Sequence, residues 1–233
     1  MSALILAVPS KGRMMEDVSA LFERAGIGFE RGGATRGYRG RLKNIDGVEA
    51  AFSSASEIAQ NLKDGKIDLG VTGEDLLRET LNPDDPSTEI VLRLGFGQAD
   101  VIVAVPECWL DVSGMRDLDE VAETFYERHG RRLRVATKYH NLTRRFFAEK
   151  GVVGYRIVES LGATEGAPAA GIAEVIVDIT STGITLAANH LKILDDGLIL
   201  RSSAVLAARA SSRNDPRVQK IAAALSSASE GKP

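Results

Sequence analysis

The stretch from Glu174 to Leu186 reads EVIVDITSTGITL, and the rest of the chain is interpreted outward from it. Val175, Ile176, Val177 and Ile179 surround Asp178 in a short β-branched run that predicts a buried strand. Thr180, Ser181, Thr182, Gly183, Ile184 and Thr185 follow as a hydroxyl-rich turn, and Thr185 to Asn189 predicts the first turn of a helix. A strand, a turn of small residues and a helix start bring several backbone N–H groups to one point, where the helix dipole also favours an anion. The hydroxyls of Thr180, Ser181, Thr182 and Thr185 add donors. Asp178 does not suit a phosphate. It does suit a ribose diol, because an ionised carboxylate only accepts hydrogen bonds and a vicinal diol donates two. An acid followed by a phosphate turn therefore points to a phosphorylated sugar such as a 5-phosphoribosyl group. The same residues also fit a plain helix cap beside an edge aspartate, since hydroxyl residues are ordinary N-caps.

Composition narrows the function classes. The chain has 233 residues, 44% apolar and 26% charged, an ordinary soluble balance that fits one large domain or two small lobes. A formal charge of −3, a pI near 5.7 and the absence of a long basic block argue against nucleic acid as the main partner. One cysteine, Cys108, leaves no internal disulfide, and with three scattered histidines no protein-only metal site is expected. The apolar run Ala3–Val8 is too short for a signal-peptide core and no stretch reaches transmembrane length, so no membrane association and a cytoplasmic location are expected.

The opening pattern recurs along the chain. Ala3–Val8 predicts a strand closed by Pro9; Ser10, Lys11, Gly12 and Arg13 form a basic glycine turn, and Met14, Met15, Val18, Leu21, Phe22 and Ala25 share one helical face ended by Gly26. Lys11 and Arg13 would add full charges to that helix start; they would equally suit a solvated loop. No Walker phosphate loop is present. Gly32–Asp46 reads as a loop or hairpin rich in arginine. Val48–Phe52 predicts a strand, with Ser53 and Ser56 as candidate caps of the next helix. Ile67–Leu77 is again strand, Thr72-Gly73 turn and acidic helix start; Leu133–Thr137 is a strand, with Asn141 read as the following cap. A short helix is expected over Ala169–Ala173, strands over Ile193–Leu200 and Ser203–Ala208, a closing helix over Asp215–Ser227 with Pro216 first, and a frayed tail from Ser226. Strands alternating with helices imply an α/β fold with mainly parallel sheets. Turns after Val8, Val71, Thr137 and Ile179 would lie at strand C-terminal ends, where open α/β sheets bind ligands. The crossing between lobes is placed at Gly95–Gln98, giving lobe I as residues 1–98, with 187–233 returning to it, and lobe II as 99–186.

With these residues in view, the sequence resembles the ATP phosphoribosyltransferases that open histidine biosynthesis, over nearly the whole chain. The most specific piece is Glu165, Gly171, Ala173, Ile176, Asp178, Ile179, Thr182-Gly183 and Thr185-Leu186, which matches the family's signature in order. Lys11-Gly12-Arg13, Asp68–Gly73, Ala136-Thr137 and Asn141–Arg145 are similar to other family blocks. The resemblance implies a two-lobed fold like the type II periplasmic binding proteins, with the active site in the cleft between lobes. It implies a reaction joining N1 of ATP to C1′ of phosphoribosyl pyrophosphate (PRPP), with pyrophosphate leaving and Mg²⁺ carried mainly by substrate phosphates. Asp178 would then hold the ribose hydroxyls, and the turn of Ile179, Thr180, Ser181, Thr182, Gly183, Ile184 and Thr185 the 5-phosphate. Lys11, Gly12, Arg13 and Gly73 would face ATP or pyrophosphate, and Glu165 would line the cleft. Catalytic weight falls on Asp178, Lys11 and Arg13, by positioning and charge neutralisation, with no covalent nucleophile.

Two departures carry expectations of their own. Where many relatives have an arginine and a DxP-like turn, this chain reads Ser53-Ser54-Ala55-Ser56-Glu57-Ile58, so an anion contact would shift to Arg36, Arg39 or Arg41. The chain also stops soon after its closing helix, which resembles the short form. That form implies a histidyl-tRNA synthetase-like regulatory subunit and a homodimer within a hetero-oligomer. The competing class is a non-catalytic two-lobed protein that closes on a small anion.

Overall fold

The computed structural model describes residues 3–31 and 39–230 and divides the chain into two compact units. The first comprises Met1–Gln98 and Ser203–Pro233, the second Ala99–Ser202. In the first, β1 (Leu4–Pro9), α1 (Gly12–Arg24), β2 (Phe29–Arg31), β3 (Arg39–Leu42), β4 (Val48–Ser53), α2 (Ala55–Lys63), β5 (Leu69–Gly73), α3 (Glu74–Thr80) and β6 (Thr88–Arg93) follow in order. The second contains β7 (Ala99–Pro106), α4 (Met115–His129), β8 (Leu133–Thr137), α5 (His140–Glu149), β9 (Tyr155–Glu159), a 3₁₀ turn at Thr164–Gly166, β10 (Val175–Thr180), α6 (Ile184–Ala188) and β11 (Leu191–Ser202). The chain then returns to the first unit with β12 (Ala204–Arg209) and α7 (Pro216–Glu230).

Each unit holds one sheet. The first has seven strands ordered β2-β3-β4-β1-β5-β12-β6, the second five ordered β11-β7-β10-β8-β9. Parallel ladders join β4, β1 and β5 in one and β10, β8 and β9 in the other. The remaining pairs are antiparallel, so the sheets are mixed, where sequence alternation had suggested mainly parallel ones. One reason lies in the links: β2, β3 and β4 follow one another without a helix, and a parallel partner needs a crossover.

The largest correction concerns residues 187–202. They were expected to return to the first lobe, but β11 pairs with β7 from Leu191↔Pro106 to Ser202↔Ala99 and so completes the second sheet. Leu191 is buried with Ile102, Ala136, Ile176 and Leu186 in the core of that unit. Smaller corrections follow from local hydrogen bonding. Ser54, not Ser53 or Ser56, caps α2: its hydroxyl accepts from the Glu57 N–H while the Glu57 carboxylate accepts from the Ser54 N–H at 2.9 Å. Asn141 lies inside α5, which begins after Tyr139. Ala169–Ala173 forms turns, not a helix, and α7 continues to Glu230 beyond the expected fray. Phe29–Arg31 and Arg39–Leu42 pair as a hairpin whose connecting residues, Arg36 among them, lie outside the described set.

The first core forms because α1 turns Val18, Leu21 and Phe22 onto Leu6 and Val8, and α7 adds Val218, Ile221 and Leu225. Among the described residues no helix is long and apolar enough to cross a membrane.

One ion-pair cluster sets the start of β10. Glu174 accepts from Arg134 at 2.6 Å, from Arg131 at 3.0 Å and from the Arg134 backbone N–H at 2.8 Å, tying the entry of β10 to β8. Burial pushes the Glu174 carboxyl up, but these hydrogen bonds outweigh it and hold the group down to about 2. A depressed folded-state pKa contributes stability that is complete above the ordinary glutamate value and is lost as pH falls towards 2. Acid titration of Glu174→Gln should therefore show a flatter loss of stability than the parent between about pH 4.5 and 2. Identical acid curves would remove Glu174 from this role.

Candidate active site

The candidate site of the second sheet is built by β10 and the turn after it. Side chains alternate along a strand, so Ile176, Asp178 and Thr180 share one face; Ile176 is buried in the core and the next two positions are half-buried. The chain then bends at Gly183, whose φ of +73° is left-handed and suits glycine. The Gly183 N–H donates to Thr180 Oγ1 at 2.9 Å, so this hydroxyl shapes the turn while its own hydrogen stays available to a ligand. The Ile184 N–H reaches Thr182 Oγ1 at a long 3.5 Å. Ser181, Thr182, Ile184 and Thr185 are exposed, Leu186 anchors α6 in the core, and nothing lies within 4 Å of a Cβ placed at Gly183. The result is an open turn with hydroxyl donors at its rim.

Asp178 sits at the edge of this turn. Burial pushes its carboxyl above the ordinary aspartate range; the Ile179 N–H and the Lys138 charge pull it down, and the Glu165 charge pushes it up. Glu165 stands on the 3₁₀ turn Thr164–Gly166, packed through Ala167 and Ala173 against Ile176. The structure thus brings Asp178, Glu165 and Lys138 into one electrostatic neighbourhood beside Thr180–Thr185. Lys138, in the turn after Thr137, was given no role from sequence. Its signal is the β8–β10 ladder, which local pattern does not contain.

The remaining candidates belong to the first unit. Lys11 is the N-cap of α1 and makes no side-chain cap bond; Gly12 takes φ +75°, and Arg13 is 93% exposed and 3.9 Å from Asp17. This basic turn is open to a ligand. The turn at Gly73 is not. Gly73 is buried, its Cα faces Asp75 Oδ1 so closely that a Cβ would lie 2.2 Å away, and the Glu74 N–H already donates to the Ser203 carbonyl. Glu74 is itself buried between Arg78 and Arg93, at 3.1 and 2.9 Å. Among the arginines proposed to replace the missing one, Arg39 lies 3.6 Å from Glu49 and Arg41 is level with Glu49 in the β3–β4 ladder. Among the described residues no group of three or more His, Cys, Asp or Glu could hold a metal ion.

Two α/β units with mixed sheets, between which the chain passes at Gln98–Ala99 and returns at Ser202–Ser203, define the class of the type II periplasmic binding proteins. Solved structures agree on that fold: the GluR0 ligand-binding core from Nostoc punctiforme superposes with a TM-score of 0.58 at 15% identity, over 97% of this chain and 93% of the other. Within this class the chain belongs to the ATP phosphoribosyltransferase family, because residues 54–227 match the family described as HisG: ATP phosphoribosyltransferase. The ATP phosphoribosyltransferase of Agrobacterium fabrum is 57% identical over 97% of this chain and 99% of its own length. That of Rhodopseudomonas palustris is 59% identical over 88% of this chain and 63% of its own. A structure titled as the ATP phosphoribosyl transferase (HisG:HisZ) complex from Thermotoga maritima matches with a TM-score of 0.74 at 27% identity, over 98% of this chain and 100% of that one. The chain is an enzyme, a transferase of the first step of histidine biosynthesis.

Proposed function

We propose that Asp178 and the turn Ile179–Thr185 hold the 5-phosphoribosyl group of PRPP while its C1′ is transferred to N1 of ATP, with pyrophosphate released. The observation that carries this reading is the open turn after β10, with a half-buried carboxylate at its edge and hydroxyls at its rim. Asp178 accepts from the ribose 2′- and 3′-hydroxyls, and Thr180, Ser181, Thr182 and Thr185 donate to the 5-phosphate. Lys11, Gly12 and Arg13 supply the polyphosphate contacts from the first unit, and Glu165 lines the same site as Asp178. Gly73 contributes least, since its turn is filled by Asp75 and Ser203.

The chemistry requires no protein nucleophile. The C1′–oxygen bond breaks with its electron pair going to the departing diphosphate, and the N1 lone pair forms the new C1′–N1 bond, leaving an N1-substituted adeninium. Positioning and charge neutralisation therefore carry the rate. Mg²⁺ arrives on the diphosphate oxygens of PRPP as part of that substrate, consistent with the sparse metal-ligand inventory of the described residues. The proposal includes a cytoplasmic setting, where both substrates are made, and the short form acting as a homodimer within a hetero-oligomer. A regulatory subunit related to histidyl-tRNA synthetase is supported by the complex named for the Thermotoga relative.

The direct test mixes purified protein with ATP and Mg-PRPP and follows phosphoribosyl-ATP by absorbance, with and without the candidate subunit. Turnover that needs both substrates supports the transfer; binding of both without product favours a ligand-binding role. Thr182→Val, which removes one rim hydroxyl, should raise the PRPP KM by roughly 5- to 50-fold, the loss of one hydrogen bond to a charged group. An effect on ATP alone would contradict the placement of the phosphate.

A further inference from the structure

We infer that Lys138 is a further catalytic residue, whose ammonium group neutralises the diphosphate as it leaves C1′. The inference rests on the placement of PRPP proposed above and adds to it the group that receives the leaving charge. Geometry is its first support. In the parallel ladder of β8 and β10, Val135 is level with Val175 and Ala136 with Ile176. Lys138 follows directly on the last residue of β8, at the end of the ladder where β10 runs on from Ile176 to Asp178, and Ala136 and Ile176 share one buried cluster there. The second support is the setting of the ammonium group. Tyr139 is fully buried, and Lys138 Nζ lies 4.9 Å from the centre of its ring, while the rest of Lys138 is exposed. Lys138 makes no ion pair among the described residues. A lysine just past a strand end, steadied by a ring and with no carboxylate within ion-pair distance among the described residues, is a cation available to a ligand.

The surrounding charges explain why the diphosphate is the part it meets. Asp178 and Glu165 are both acidic and both act on this neighbourhood. They suit the ribose hydroxyls and the positive charge that develops at C1′, but they repel the departing diphosphate. A cation at this end of the ladder, whose charge acts on Asp178 and so lies near C1′ when the hydroxyls are bound, offsets that repulsion where negative charge accumulates. The electron pair of the broken C1′–oxygen bond ends on the pyrophosphate oxygen, and Lys138 stabilises that oxygen without giving up a proton.

A lysine that merely balanced Asp178 and Glu165 would make a different prediction, and binding of the two halves of PRPP separates the cases. Calorimetry with ribose 5-phosphate and with Mg-pyrophosphate, on the full chain and on Lys138→Met and Lys138→Arg, is the experiment. Lys138→Met should weaken pyrophosphate binding and kcat by roughly 10- to 100-fold, keep ribose 5-phosphate affinity, and leave the unfolding midpoint unchanged. Lys138→Arg should restore most of both losses. Unchanged pyrophosphate affinity and kcat in Lys138→Met would overturn the inference while leaving the PRPP turn intact. Equal loss of both ligands would make Lys138 a support of the whole turn and would also overturn it. Failure of the unaltered protein to bind ribose 5-phosphate would instead sink the PRPP placement, and Lys138 with it.

Discussion

Asp178→Ala is expected to lower kcat/KM for PRPP by roughly 30- to 1,000-fold, a loss of about 2–4 kcal/mol of transition-state stabilisation. In the proposed placement of PRPP the carboxylate accepts two hydroxyl hydrogen bonds and faces the positive charge that grows at C1′, so both ribose orientation and charge stabilisation go with it. Folding should not suffer. Burial raises the Asp178 carboxyl, which means that its ionised form is held in the folded protein at a cost. In linkage terms a raised carboxylate pKa works against stability once pH passes the unfolded value, so removing the group should leave the unfolding midpoint unchanged or higher. The same shift sets the pH profile. Activity needs the ionised form, so the acid limb of kcat/KM should fall at a pH above the ordinary aspartate value, and Asp178→Asn should abolish that limb. Lys138 and Glu165, the charges acting on Asp178, pull this limb down and up respectively. Steady-state kinetics across pH, with an unfolding curve for each variant, decides the matter. Unchanged kcat/KM in Asp178→Ala would remove Asp178 from the site.

Phe147→Ala is expected to cost about 3–5 kcal/mol of stability in the second unit. Phe147 is fully buried on α5, its ring lies 4.7 Å from that of Tyr155, and it shares the apolar face of the helix with Leu142 and Phe146. Truncation removes the ring from a packed site and leaves a cavity that neighbours fill only in part. The consequence extends to function, because α5 follows directly on the turn that carries Lys138. Urea unfolding read by tryptophan fluorescence is well suited, since the single tryptophan, Trp109, lies in the same unit. At a slope of about 1–3 kcal/mol per molar urea, the midpoint should drop by 1 M or more. A drop under about 0.3 M would show that α5 is held chiefly by other contacts.

Much of this protein was legible in the chain before any coordinates. The strand around Asp178, the turn at Gly183 and a helix start, expected at Thr185 and found at Ile184, follow from β-branched residues, a glycine and a run of hydroxyls, all short-range features. The likeness of Glu165–Leu186 to the family signature is likewise a local pattern, and the family match bears it out. The helix stop at Gly26 was readable for the same reason, since it takes positive φ. Caps were read less well. Ser53, Ser54 and Ser56 are equivalent as residue types, and only the reciprocal bonds with Glu57 select Ser54.

What the tertiary structure alone decided is everything that depends on pairing between distant segments. β11 joins β7 rather than the first sheet, because a strand's local pattern marks which face is apolar but not which partner supplies its hydrogen bonds. Glu74 and Asp75 look in sequence like a solvated acidic helix start, yet the fold buries both and closes the turn at Gly73. Lys138 reads as one more surface lysine until the β8–β10 ladder brings the end of β8 beside β10, where its charge acts on Asp178, 40 positions further along the chain. Residue chemistry along the backbone determined the kinds of elements and the hydroxyl-rich turn after β10. Long-range hydrogen bonding and packing determined which charges meet there.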